Sequence, residues 1–175
     1  MNKKIVVASL AVVAAGMIMI QGSLSTAEAK DKKIGVAERI QTFDTLDFDV
    51  FSNQKWDRLH ESHTDGVAVV WPDGHETKGI QKHIDDLKFM FTYAPDTAIK
   101  THPVKFGSGE WTAVIGVMTG TFTKPMVTAD GKTIQPTGKS FILPMATLAH
   151  WKDGKFDKEY LFWDNQHYMK QIIGG

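Results

Sequence analysis

Trp111-Thr112-Ala113-Val114-Ile115-Gly116-Val117-Met118-Thr119-Gly120-Thr121-Phe122-Thr123 is a run without proline or charge, apolar at both alternating parities. Trp111, Ala113, Ile115 and Val117 fall on one face, and Val114 and Met118 on the other. A strand apolar on both sides predicts a central position in a sheet covered on both faces. Outward from it, the turn Gly107-Ser108-Gly109 joins a preceding strand, Ile99 to Phe106, and Lys139 to Trp151 pairs with Lys155 to Asp164 around Asp153-Gly154. Between these hairpins, 124–138 carries Pro125, Pro136 and Asp130-Gly131, which suits a flap or short hairpin near a pocket mouth.

Helices precede the sheet. Ile34, Ala37, Ile40 and Phe43 recur at helical spacing, and a second helical stretch covers about 50–62 with Phe51, Trp56 and Leu59. Val67 to Trp71 is a short strand stopped by Pro72-Asp73-Gly74. Thr77 is placed to cap a third helix whose face Ile80, Ile84, Leu87 and Phe91 lies on the sheet, ending before Pro95. The pattern places helices first and the sheet after.

Upstream, Met1-Asn2-Lys3-Lys4, the apolar stretch Ile5 to Ile20 and Ala27-Glu28-Ala29 are the three sections of a secretory signal peptide, cleaved after Ala29. The expected organisation is therefore 1–29 signal peptide and 30–175 one domain, secreted or periplasmic, with no stable membrane insertion after cleavage. Removing Lys3, Lys4 and Glu28 takes 20 basic and 20 acidic side chains to 18 and 19. A net charge near minus one predicts no nucleic-acid or anionic-membrane partner. The chain has no cysteine, which excludes disulfides and thiol catalysis.

Glu159-Tyr160-Leu161-Phe162-Trp163-Asp164 ends on a carboxylate approached by aromatics. Burial against such rings lifts a carboxyl pKa toward neutrality and makes an acid/base of an ordinary Asp. The plainer reading is a solvated Asp164 capping the helix 165–173. By period two, Tyr160 and Phe162 share the face of Asp164 and become pocket walls, while Trp163 turns to the core. A three-residue loop at 152–154 would set His150 opposite Phe156 and Asp164 opposite Ile142, on one face but about 26 Å apart along a straight strand.

These segments come with a set of local motifs: Trp71-Pro72-Asp73-Gly74, Gly79, Ala94-Pro95-Asp96-Thr97, Gly107-Ser108-Gly109-Glu110-Trp111-Thr112-Ala113, Thr119-Gly120-Thr121-Phe122, Pro136-Thr137-Gly138-Lys139, Leu161-Phe162-Trp163-Asp164-Asn165 and Gln171-Ile172-Ile173-Gly174. In this order across 51–174 the chain resembles the SnoaL-like polyketide cyclases, the ester cyclase group in particular. The resemblance implies a cone-shaped α+β fold of the nuclear-transport-factor-two-like type, with a curved sheet around helices and an apolar pocket. It implies a cyclase-type enzyme in which Asp164 removes a proton alpha to an ester or ketone and returns it to the new alkoxide, and in which His150 assists. No metal and no organic cofactor is required in that chemistry.

The expected partner is a small apolar carbonyl-containing molecule, with His63 and Trp71 as further pocket-lining candidates and a possible homodimer through the exposed sheet. An exported, non-catalytic small-molecule-binding domain and an isomerase or dehydratase on the same fold are the alternatives, since one fold hosts many functions. His60-x-x-His63 has the spacing of a metal pair but too few confirming ligands for a zinc site. No G-x-S-x-G is present, and Thr133 stands where a phosphate loop needs glycine.

Overall fold

A computed structural model describes residues 34–174. The proposed signal peptide lies outside the described residues. A helix α1 (Val36–Thr45) runs directly into a π-helical turn (Leu46–Phe51), and a 3-10 turn (Trp56–Glu61) leads to strand β1 (His63–Val70). The second helix expected over 50–62 is thus two tight turns. The π-turn inserts a residue into the helical ladder, so Leu46, Val50 and Phe51 are buried, and Asp47 faces inward with Leu46 and Phe51.

Strand β2 (Glu76–Lys78) folds back on β1, and helix α2 (Ile80–Tyr93) follows. The residue capping α2 is Gly79 rather than Thr77. Thr77 sits in β2, where its hydroxyl accepts from Trp71 Nε1 at 3.0 Å. Gly79 has φ of 92°, a left-handed conformation that glycine adopts without penalty. The helix ends before Pro95, as its sequence predicts.

The remaining strands are β3 (Ala98–Ile99), β4 (Val104–Ser108), β5 (Trp111–Thr121), β6 (Met126–Val127), β7 (Thr133–Ile134), β8 (Ser140–Lys152) and β9 (Lys155–Phe162), before helix α3 (Asn165–Ile173). The strand read from Ile99 to Phe106 is two strands, β3 and β4, that both pair with β5. The segment 124–138 is a short hairpin, β6 with β7. Met126 is buried in the core and Ile134 packs against it, and neither lines the inner cavity described below.

The main sheet runs β2-β1-β9-β8-β5-β3, with β4 also on β5. All pairs are antiparallel except β1 with β9, which is parallel. Along that pair β1 advances from His63 to Ala68 while β9 advances only from Phe156 to Lys158. The extra residues form a bulge that lets His63 turn inward at the base of the strand. The β8–β9 turn is Asp153-Gly154, both at positive φ (50° and 82°), as a two-residue hairpin requires. A second irregularity between His150 and Trp151 pairs His150 with Lys158 and Trp151 with Phe156. The three-residue loop and the register drawn from it are corrected accordingly.

One face of the sheet carries the core. Val67, Val69, Val114, Ala149, Trp151, Phe156 and Leu161 pack there against Phe43, Leu46 and Ile84. A second cluster of Met118, Phe122, Phe141 and Leu143 packs against Phe51, Phe91, Tyr168 and Ile172. Among the described residues nothing covers the other face, contrary to the reading of β5 as enclosed on both sides. Trp111 is 42% exposed, Phe106 64%, Ile142 60% and Phe162 51%. The apolar residues of β5 on that side are half-buried by their strand neighbours, which is why the sequence pattern looks two-sided. Among the described residues no helix is long and apolar enough to cross a membrane.

Candidate functional site

Between α2, the π-turn and the inner face of the sheet lies a cavity of about 60 Å³. Its apolar walls are Leu46, Phe51, Leu59, Leu87, Met90, Ile99, Met118, Met145 and Leu161. Its polar groups are Asp47, His63, His83, Asp86, Thr147 and Glu159. Trp71 and Trp163 are half-buried lining residues that meet edge to face at 6.3 Å, on the side where the cavity approaches solvent.

Two polar systems share the cavity. The first joins the strands to α2. His63 comes from the start of β1, His83 from the inward stripe of α2 and Glu159 from β9, and all three are buried. Glu159 Oε2 stands 3.4 Å from His83 Nε2 and 3.7 Å from His63 Nε2. Burial drives the His83 pKa down to about 4, so that imidazole is neutral at neutral pH. Burial pushes the Glu159 carboxyl up, and the two imidazoles facing it more than offset this, leaving it below its ordinary value.

The second system leads from the cavity to the surface. His102 follows β3, and its ring is held at both nitrogens, Nε2 to Asp47 Oδ2 and Nδ1 to Asp44 Oδ1, each at 2.8 Å. Asp44 also accepts from Lys105. Burial works against a charged His102, yet the hydrogen bonds to Asp47 and Asp44 outweigh it and raise its pKa. Asp47 is raised as well, chiefly by burial, with the nearby charge of Glu159 acting in the same direction and His102 opposing it. A desolvated carboxyl in an apolar cavity is the acid/base environment that the sequence suggests for Asp164.

Of the predicted site residues, the fold brings His63 and Trp71 together in the cavity and leaves the others outside it. Asp164 is exposed, and its Oδ1 accepts from His167 N at 2.8 Å as the N-cap of α3. The desolvation argued for it is absent, because Tyr160, Phe162 and Asp164 occupy the opposite parity from the cavity-facing Glu159, Leu161 and Trp163. Phe162 and Asp164 border a separate open cleft with Pro72, Ile115 and Pro144. His150 lies on the uncovered face of the sheet, against Trp111 at 4.9 Å, with Nδ1 2.5 Å from Asp157. Tyr160 stands beside Trp111 on that same face, beneath the Lys158 ammonium. Trp163, assigned to the core, does pack against it and also forms a wall of the cavity.

Sequence reasoning misses Asp47, His83 and Glu159. His83 has a signal, since it falls three residues after Ile80 and four before Leu87 on the apolar stripe of α2. Glu159 also has one, alternating with Leu161 and Trp163. Asp47 has none, because only the π-turn rotates it inward.

A protein-family model for SnoaL-like polyketide cyclases matches residues 43–172, and the chain belongs to that family. No curated protein matches it. A candidate SnoaL-like polyketide cyclase from Jannaschia sp. CCS1 superposes with a TM-score of 0.69 at 21% identity, covering 80% of this chain and 94% of that one. IdmH, a candidate polyketide cyclase from Streptomyces antibioticus, gives 0.65 at 19% identity, over 77% and 97% of the two chains. A candidate polyketide cyclase from Xanthomonas campestris pv. campestris gives 0.65 at 17%, over 77% and 96%. The expected α+β fold, a curved open sheet with helices on its inner face, is the fold of these proteins.

Proposed function

We propose that the protein is a cyclase-type enzyme doing acid/base chemistry on a small, apolar, carbonyl-bearing molecule in the inner cavity, with Asp47 as the proton acceptor and donor. The observation that carries this reading is the placement of Asp47, a carboxyl only 13% exposed on an apolar cavity wall, held through His102 to the more exposed Asp44. In the reaction, the Asp47 carboxylate takes a proton alpha to a carbonyl. The carbanion attacks a second carbonyl of the same molecule, and the protonated Asp47 returns the proton to the alkoxide. The apolar walls orient the molecule and exclude water.

The cavity is small beside the several hundred Å³ of a pocket for a drug-sized ligand, and it favours a compact substrate. A small molecule also makes a second reading specific: an isomerase, in which Asp47 returns the proton to a different carbon of the same substrate. Export from the cytoplasm belongs to the proposal too, supported by the pattern of 1–29.

The test is proton exchange in D2O. Small diketones and keto esters are incubated with the protein and the loss of their alpha-proton signals is followed by NMR. Exchange and turnover should fall by about 10²–10⁴-fold in Asp47→Asn. Unchanged exchange in that variant overturns the assignment, and the structure of the product separates cyclase from isomerase.

A further inference from the structure

At the inner end of the cavity three side chains face one another through electron-pair donors. Each places one donor within 4.8 Å of the others. Glu159 Oε2 and His63 Nε2 are both buried and without a hydrogen-bond partner, as is Asp86 Oδ2 of a residue on the wall of the same cavity. So many orphaned polar atoms around one void call for an occupant, since an unmatched buried polar group is costly.

The ring of His63 is set from behind. Ser62 Oγ donates to the Leu59 carbonyl at 3.2 Å, which leaves it only a lone pair to offer His63 Nδ1 at 2.9 Å. Nδ1 is held by Ser62 Oγ and by the Leu59 carbonyl at 3.3 Å, which leaves Nε2 to face Glu159. A hydrogen-bonded backing of this kind fixes the tautomer of metal-bound histidines.

A proton, a water molecule or a metal cation could relieve the cluster; the distances weigh against a proton, and the donor set of two imidazoles and a carboxylate points to a cation. An imidazolium donating to a carboxylate closes to about 2.7–2.9 Å. The separations here are 3.4 and 3.7 Å. They suit the Glu159 oxygen and either imidazole as ligands of one metal, because with bonds of about 2.1 Å they subtend angles of about 110° and 125°.

We propose that His63, His83 and Glu159 bind one divalent transition-metal cation of the zinc, iron(II) or manganese(II) kind. Two imidazoles and one carboxylate are a donor set these ions share, and three protein ligands leave a coordination position open toward the cavity. Three separate elements, β1, α2 and β9, hold the ligands, so the site is preformed by the fold. Asp86 Oδ2 lines the same cavity and can accept from a metal-bound water. The inference deepens the carbonyl reading, on which it rests for one consequence only: the cation would polarise the carbonyl oxygen of a molecule held against Asp47. Metal binding itself does not depend on that reading.

The experiment uses the whole protein, stripped with a chelator and then titrated with Zn²⁺ by calorimetry and with Co²⁺ by visible absorption. One saturable equivalent is expected, with the intense visible bands of a four- or five-coordinate Co²⁺ site. Glu159→Gln and His83→Gln should each weaken it by at least about 100-fold while the far-ultraviolet circular dichroism is kept. Absence of saturable binding by the folded wild type overturns the proposal. So does unchanged affinity in both variants, which would assign the ion to exposed histidines such as His60 and His75. Should the variants fail to fold, X-ray absorption of the Zn²⁺-loaded wild type decides, with two imidazoles and a carboxylate expected and any other imidazole count overturning it. Metal binding without carbonyl exchange removes the proposed activity alone, and exchange in metal-free protein without binding removes this inference alone.

Discussion

Residues 159–164 show the sheet's two sides in miniature, and their chemistry runs opposite to expectation. Inward go Glu159, Leu161 and Trp163, placing a buried carboxylate beside the core. Outward go Tyr160, Phe162 and Asp164, placing aromatic rings in water beside an acid that serves as a helix cap. A carboxylate among aromatic residues is thus not evidence of desolvation. Burial is, and burial is decided by the parity of the strand. The same contrast extends over the sheet, from Phe156 at 0% exposure on one side to Phe106 at 64% on the other.

Truncation tests the contrast most strongly at its buried end. Phe156→Ala removes a ring packed on Phe43, Trp151 and His63, and chemical denaturation should show a loss of about 3–5 kcal/mol. A loss below about 1 kcal/mol would mean that the inner face is not the core.

His102→Gln comes next. It breaks two hydrogen bonds to carboxylates, an expected cost of about 1.5–3 kcal/mol near neutral pH. The folded pKa of His102 lies above its ordinary 6.5, so its charged form stabilises the fold fully below that pH, and the contribution is lost as pH rises through the folded value. The stability gap between wild type and variant should therefore narrow above pH 6.5. A gap that widens there would reverse the assignment of charge to that imidazole.

Asp164→Ala pits the outward carboxylate against the inward one. It should cost about 1 kcal/mol of stability through the lost cap. Carbonyl proton exchange should not change, whereas Asp47→Asn all but removes it. If exchange instead collapses in Asp164→Ala, the open cleft beside Phe162 is the site. The smallest effect is expected from Phe106→Ser on the uncovered face, within about 0.5 kcal/mol. A larger loss, scaling with protein concentration, would mean that a second copy covers this face in solution.

Elements with one strong periodicity are legible in the amino-acid sequence. The stripe Ile80, Ile84, Leu87 and Phe91 defines α2, and Asp153-Gly154 defines the last hairpin. Parity is not legible in β9, because Tyr160 and Phe162 are as apolar as Leu161 and Trp163. What chooses between the two sets is the irregularity at His150 and Trp151, set by pairing with β8 rather than by local sequence. Asp47 is hidden for a related reason. In Phe43-Asp44-Thr45-Leu46-Asp47-Phe48-Asp49-Val50 the acids look like a solvated face, and only the extra residue of the π-turn separates inward Asp47 from exposed Asp49. The family motifs fix the fold without fixing which carboxylate the cavity holds.

The parallel pairing of β1 with β9 also governs when the cavity comes into being. His63 and Glu159 are 96 positions apart, and the strand that carries Glu159 is the last of the sheet to leave the ribosome. Until it docks, β1 has no neighbour on that side and the two histidines lack the carboxylate between them. A chain clipped before β9 therefore contains both imidazoles and not the third member of their cluster. Docking of β9, rather than local folding around α2, is the step that completes the site.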